Sequence, residues 1–147
     1  MIGYFEERVE DIWPDMQEHL IAHWQEVSSL PDHPLDVDYE KFLALQNEGM
    51  VVCFAARDEG RLVGYVVDFI QFHPHYKSVK MAVTDIFYIA PDYRSKCARG
   101  LFRYVEKIEK EMGVKVRVTR AKSANNAGAF LQLLKYKEAE ISYSKRL

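Results

Sequence analysis

Asp85 is the only charged residue between Met81 and Ala90, in a stretch otherwise made of apolar residues and one threonine. A carboxylate in apolar surroundings has its pKa pushed upward, into the range where it serves as a general base. The structural alternative is an ion pair with a cation on a neighbouring strand, such as Arg117. Just downstream, Arg94, Lys96 and Arg99 crowd the point where a strand gives way to a helix. Free N–H groups and the positive end of the helix dipole converge at such a junction and favour an anion, above all a phosphate. A solvated surface turn is the plain alternative for the same three residues.

The segment Ile89-Ala90-Pro91 followed by Arg94-Ser95-Lys96-Cys97-Ala98-Arg99 resembles the GNAT superfamily of acetyl-CoA-dependent N-acetyltransferases. In that family a strand ends in Val-x-Pro, and the loop Arg/Gln-x-x-Gly-x-Gly/Ala cradles the pyrophosphate of CoA. Cys97 and Arg99 stand at the glycine positions and Gly100 comes one residue late, so a Cβ at both places is expected to crowd the ligand. Asp85-Ile86-Phe87-Tyr88-Ile89-Ala90-Pro91 is similar to the Glu-x-x-Tyr-Val-x-Pro pattern of aminoglycoside-type members, whose glutamate is the base.

The resemblance implies acetyl-CoA as co-substrate, with no metal. It assigns the pyrophosphate to Arg94, Ser95, Lys96, Cys97, Ala98, Arg99 and Gly100. Two parallel strands should splay just after the catalytic point, freeing backbone near Tyr88, Ile89 and Ala90 for pantetheine and the thioester oxygen. Asp85 becomes the base, through a water because aspartate is one methylene shorter than glutamate. The family's usual acid, a tyrosine on the last helix, is replaced by Leu131, which leaves Tyr88, Tyr136 and Tyr143 as candidates. Asn125 near the start of that helix is the pantetheine contact, although the family's asparagine position itself falls on Ala124, and Phe130 is a further cofactor-binding candidate.

Charge is unevenly spread. Residues 1–78 hold 15 acidic and 5 basic side chains, and residues 79–147 hold 7 acidic and 15 basic. Such a split suits two ligands of opposite sign, a polyanion for the second half and an amine-bearing cation for the first. Neutralisation within the fold, or across a homodimer interface, explains it equally well. By resemblance the acceptor is shaped by the first two helices and the segment before the third central strand, which supply Trp24, Glu26, Tyr39, Asp68, His73, His75 and Tyr76. Acids and aromatics together suit a small cationic amine, a protein lysine or a protein N-terminus. The segment Phe72-His73-Pro74-His75-Tyr76-Lys77 is similar to one in small phage-encoded GNAT proteins. Two other readings stand beside this one. The first is a catalytically degenerate GNAT domain that binds CoA or a protein. The second is a nucleic-acid-binding domain, disfavoured because the basic residues lack interleaved aromatics.

At 147 residues and 48% hydrophobic content, the chain reads as one globular domain, which the resemblance makes a single N-acetyltransferase (GNAT) domain over 1–147. No apolar run reaches the roughly 18 residues of a membrane helix, and Met1–Glu7 lacks the order of a secretory signal. A cytoplasmic location and no membrane partner are expected. Cys53 and Cys97 show no disulfide or metal spacing. His19 and His23, four apart, read as packing residues before metal ligands.

The elements that must position these residues follow from periodicity. A strand over Ile2–Glu7 precedes a helix with Pro14 at its first position and Met16, Leu20, Trp24 and Val27 along one face. Asp38 caps a second helix from Tyr39 to Glu48. Strands follow over Met50–Arg57, Arg61–Gln71 and Lys80–Ile89, the last two separated by His73–Lys77. After a helix closed by Gly113 come a strand over Val114–Thr119, a helix carrying Ala127, Phe130, Leu131 and Leu134, and a strand over Ile141–Ser144. The order βααβββαβαβ, an α/β (α+β) arrangement around a mixed central sheet, is similar to the GNAT fold.

Overall fold

Every residue from Val51 to Ala56 is buried. A strand with no exposed face must lie inside a sheet that is covered on both sides, and this one sets the plan of the molecule. The computed structural model describes residues 1–122 and 125–147; Ala124 lies outside the described residues. The strands are β1 (Ile2–Glu7), β2 (Val51–Asp58), β3 (Arg61–His73), β4 (Tyr76–Ile89) and β5 (Val116–Val118). The helices are α1 (Val9–Val27), α2 (Tyr39–Asn47), α3 (Arg94–Glu111) and α4 (Ala127–Leu133), with a short 3-10 turn over Pro91–Tyr93. The strands form one sheet in the order β1-β2-β3-β4-β5. Neighbours are antiparallel except for β4 and β5, which run parallel.

Alternation along β2 divides the core in two. Val51, Cys53 and Ala55 share a cluster with Val9, Ile12, Met16 and Leu20 of α1. Val52, Phe54 and Ala56 share the other with Leu101, Phe102 and Val105 of α3 and Leu131 of α4. The acid-rich first half of the chain therefore covers one face of the sheet with helices, and the base-rich second half covers the other. Among the described residues, no helix is long and apolar enough to cross a membrane.

Three elements differ from expectation. Helix α1 starts at Val9, which leaves Pro14 in its interior. Val9, Ile12, Met16, Leu20 and His23 are buried along one face, so packing draws the earlier turn into the helix. Pro14 sits on the exposed side, and the turn before it is secured from outside, Val9 N donating to Gln46 Oε1 of α2 at 2.6 Å. The gap between the second and third central strands shrinks to Pro74-His75, because Tyr76 pairs with His73. The strand expected over Ile141–Ser144 does not form, and residues 136–147 contain no helix or strand. Ile141 and Tyr143 are 68% and 91% exposed. Their alternation has no apolar face to cover, and charged residues flank it on both sides.

Helix α3, which opens at the candidate phosphate site, is well defined at its other end. Gly113 takes a φ of 86°, Gly113 N donates to Lys110 O and Val114 N to Glu109 O, the paired bonds of a left-handed helix stop. Its Gly100 has a different purpose from the one the sequence suggested. A Cβ there would collide with the ring and hydroxyl of Tyr4 on β1, so the glycine lets helix and strand approach. Gly100→Ala should therefore lower stability by about 1–3 kcal/mol, as overpacked sites do. Urea unfolding checks this, and combining the change with Tyr4→Ala should cost less than the sum of the two singles.

Candidate active site

Strands β4 and β5 pair only from Met81 opposite Val116 to Val83 opposite Val118. On its other side β4 stays paired with β3 as far as Ile89. Beyond Val83 the two parallel strands part, giving the expected splay. Its root is pinned by Arg117 of β5. The guanidinium donates from Nη1 to Asp68 Oδ2 at 2.7 Å and to Glu109 Oε1 at 2.6 Å, and from Nη2 to Thr84 Oγ1 at 2.9 Å. The hydroxyl of Thr84 is 3.2 Å from that of Thr119. Asp68 is 0% and Glu109 2% exposed. One cation balances only one of two buried carboxylates, and burial holds the Glu109 carboxyl up at about 8.

This network answers two sequence questions. Arg117 is engaged by Asp68 and Glu109, so Asp85 is not its ion-pair partner. Asp68, expected at the acceptor, is sealed beneath α3 and cannot meet a ligand; the alternation of β3 sends it to the same side as Val66 and Ile70.

Asp85 occupies a special place in β4. Val67 pairs with Ile86 and Asp68 with Thr84, which makes Asp85 the extra residue of a β-bulge. The bulge breaks the alternation, and Asp85 and Ile86 both line a cavity of about 360 Å³ on the α1 side. Burial raises the Asp85 carboxyl above the ordinary aspartate range; Arg120 opposes the shift and Asp68 adds to it. The side chain still reaches solvent, as a group exchanging protons must.

Backbone directions in the splay follow from one hydrogen bond. Ala90 N donates to Val63 O at 2.9 Å, so Ala90 faces β3. Gly64 opposite Ile89 is then a pair without mutual bonds, and the N–H and C=O of Ile89 point into the gap, as do those of Phe87. Of the three backbone candidates, Tyr88 and Ala90 face β3, and Ile89 alone faces the gap. Phe87 was missed because the direction of alternation is invisible before the register is known.

The start of α3 borders the same gap. Its first turn holds no acid and receives no side-chain cap. Arg94, Ser95, Lys96 and Arg99 are exposed there, and Lys96 Nζ lies 5.1 Å from the centre of the Tyr93 ring. Arg94 Nε donates to Ile89 O at 3.0 Å, and its Nη2 to both oxygens of Glu26 at 2.7 and 2.9 Å. Cys97 and Ala98 turn inward and are buried in the core. The Cys97 side chain thus points away from the exposed helix start, and the crowding expected from it does not arise. Burial also holds its thiol up at about 11, which makes it a packing residue.

The sequence model of the acetyltransferase (GNAT) family matches residues 13–135. The chain belongs to that family. GNAT enzymes are acetyl-CoA-dependent N-acetyltransferases, and this chain is one of them. The fold agrees over the full length. A ribosomal-protein-alanine N-acetyltransferase from Brucella melitensis biovar Abortus superposes with a TM-score of 0.75 at 19% identity, covering 100% of this chain and 99% of that one. An aminoglycoside 6'-N-acetyltransferase from Acinetobacter baumannii gives a TM-score of 0.72 at 20% identity, over 100% and 99%. An aminoglycoside acetyltransferase from an uncultured soil metagenomic sample gives 0.76 at 13% identity, over 99% and 96%. Comparison with curated protein sequences returns no match.

Within this GNAT domain the remaining expected residues scatter. Trp24 lines the cavity with Asp85, and Tyr39 packs on Trp13, another lining residue, with ring centres 5.1 Å apart. Glu26 is held by Arg94. His73, His75 and Tyr76 lie at the β3–β4 hairpin tip, pack on one another and do not line the cavity. Tyr88 is buried against His19, His23 and Tyr65, and Tyr143 is in the exposed C-terminal segment. Asn125 Oδ1 accepts from Ala127 N, Phe130 stands edge-on to Phe102, and the Tyr136 hydroxyl donates to Glu106. His19 Nε2 lies 2.9 Å from Leu62 O and His23 Nδ1 3.1 Å from the Tyr65 hydroxyl, so both histidines are spent on packing contacts. The cavity walls Trp13, Leu35, Asp36 and Phe42 were missed. Reading Pro14 as the first helical residue had placed Trp13 outside its helix.

The buried network predicts a pH dependence. Glu109 keeps a proton in the folded state that the unfolded chain releases near 4.5, so its contribution to stability is whole below 4.5 and is lost as pH rises toward about 8. Thermal midpoints of the wild type should fall across that interval, and those of Glu109→Gln should fall less. Equal slopes for the two proteins would show that Glu109 holds no such proton.

Proposed function

We propose that this GNAT enzyme transfers the acetyl group of acetyl-CoA to a primary amine by direct attack, with Asp85 as the base and the β4–β5 gap as the thioester site. What supports this is the arrangement around β4. Its open edge adjoins an uncapped, cationic helix start on one side, and its bulge delivers a carboxylate into a cavity on the other. Acetyl-CoA supplies the activated acyl group and the polyanion. The first turn of α3, which no side chain caps, with the side chains of Arg94, Lys96 and Arg99, matches its phosphates. The N–H groups of Phe87 and Ile89 are the donors available for a carbonyl oxygen that gains charge.

On the acceptor side Asp85 removes the proton that keeps an amine near pKa 10 from attacking at neutral pH. Tyr88 is the acid candidate nearest the gap, whereas Tyr143 stands apart from it in the exposed C-terminal segment. Solvent is sufficient to protonate a thiolate, whose basicity is low. Arg94 must release Glu26 to meet a phosphate, so the ion pair between them competes with CoA.

Titration calorimetry with acetyl-CoA tests the binding half. Removing the charges of Arg94 and Lys96 together should weaken binding by about 1–3 kcal/mol, and Glu26→Gln should strengthen it. Absence of binding at millimolar acetyl-CoA contradicts the proposal. Release of free thiol tests the chemical half. Asp85→Asn should lower kcat by about 10²–10⁴-fold with acetyl-CoA affinity unchanged. Wild-type kcat/KM should rise through a pKa above that of ordinary aspartate, the direction in which burial moves Asp85. A mutant with full activity and the same profile would make Asp85 structural.

A further inference from the structure

The walls of the cavity beside Asp85 are almost wholly apolar. Helix α1 supplies Ile12, Trp13, Met16 and Leu20, and the loop before α2 supplies Leu35 and Val37. Phe42 of α2 and Val67 of β3 close the remaining sides. Against this stand few polar groups. Asp38 already accepts from Lys41 N at 3.0 Å, and His23 Nδ1 is committed to Tyr65. Burial also lowers the His23 pKa, which favours its neutral form. Asp36 and Asp85 are the lining carboxylates that hydrogen bonds within the described residues leave unengaged.

Such a lining sorts amines by what carries them. A hydroxyl group moved here from water would lose its hydrogen bonds without replacement, which disfavours it. An alkyl or aryl body gains instead, in proportion to the apolar area it covers. For the ammonium the lining offers two carboxylates, Asp36 and Asp85, and two indoles, Trp13 and Trp24. At about 360 Å³ the cavity lies near the small end of ligand sites, which span roughly 300–1,000 Å³.

We propose that this cavity is the acceptor site for a small primary amine on an alkyl or aryl body, and that it rejects polyamines and amino sugars. The inference rests on the acetyltransferase reading for its chemistry but not for its binding. Chain composition provides a direct probe, because the protein has two tryptophans, and both Trp13 and Trp24 line the cavity. Their emission reports occupancy whether or not transfer follows.

The experiment titrates the full chain with 2-phenylethylamine, 2-phenylethanol, spermidine and kanamycin, following tryptophan emission, and repeats each mixture with acetyl-CoA while measuring thiol release. Phenylethylamine should give a saturable change with a Kd at least tenfold below those of spermidine and kanamycin, and below that of phenylethanol. Phe42→Ala should weaken it about tenfold, and Asp36→Asn, a loop change without packing cost, should narrow the gap between amine and alcohol. Tighter binding of spermidine or kanamycin, or no emission change with any amine, overturns the inference. Binding of phenylethylamine without thiol release leaves the cavity assignment standing and contradicts the transfer reaction. Thiol release with spermidine or kanamycin alone keeps the reaction and overturns the assignment.

Discussion

Arg117 ties together three elements that would otherwise have no reason to meet at one point. Its guanidinium reaches β3 through Asp68, β4 through Thr84 and α3 through Glu109, all below the surface. A buried arginine is costly unless its donors are met; two carboxylates and a hydroxyl take up three of them here, while Nε has no partner among the described residues. The bonds are placed where β4 and β5 stop pairing. The opening of the sheet beyond Val83 is therefore anchored at its root, and the extra proton on Glu109 follows from using one cation for two acids. Stability and site geometry draw on the same cluster.

From that anchor the two sides of the site separate by strand geometry. The bulge at Asp85 turns a carboxylate and Ile86 to the α1 face, while the edge of Phe87 and Ile89 remains free. The helices of the acidic half pack on one face of the sheet and those of the basic half on the other, so the uneven charge of the sequence corresponds to two faces of one sheet. Arg94 and Glu26 are one exposed point at which the halves touch, and their ion pair links α1 to the start of α3.

Much of this was legible in the sequence because local rules decide it. The fully apolar run Val51–Ala56, the Asp38 cap and the Gly113 helix stop are each set by a few neighbouring residues. Asp85 stood out as a lone charge. What failed depended on contacts distant in sequence. The first turn of α1 is held by Gln46, Asp68 is buried by Arg117, and Gly100 is explained by Tyr4. Cys97 showed the same effect, since a motif position does not reveal which way a helical side chain turns. The segment Ile141–Ser144 had the alternation of a strand but no surface to pack on.

The outer edge of β4, unpaired beyond Val83, is the edge proposed to take up acetyl-CoA. Residue-resolved amide hydrogen exchange, with and without acetyl-CoA, tests this directly. The amides of Phe87 and Ile89 should exchange faster than those of Tyr88 and Ala90 in the free protein, and should become protected when acetyl-CoA is added, with little change at Tyr88 and Ala90. Equal protection of all four in the free protein, or no change at Phe87 and Ile89 on adding saturating acetyl-CoA, would contradict the account.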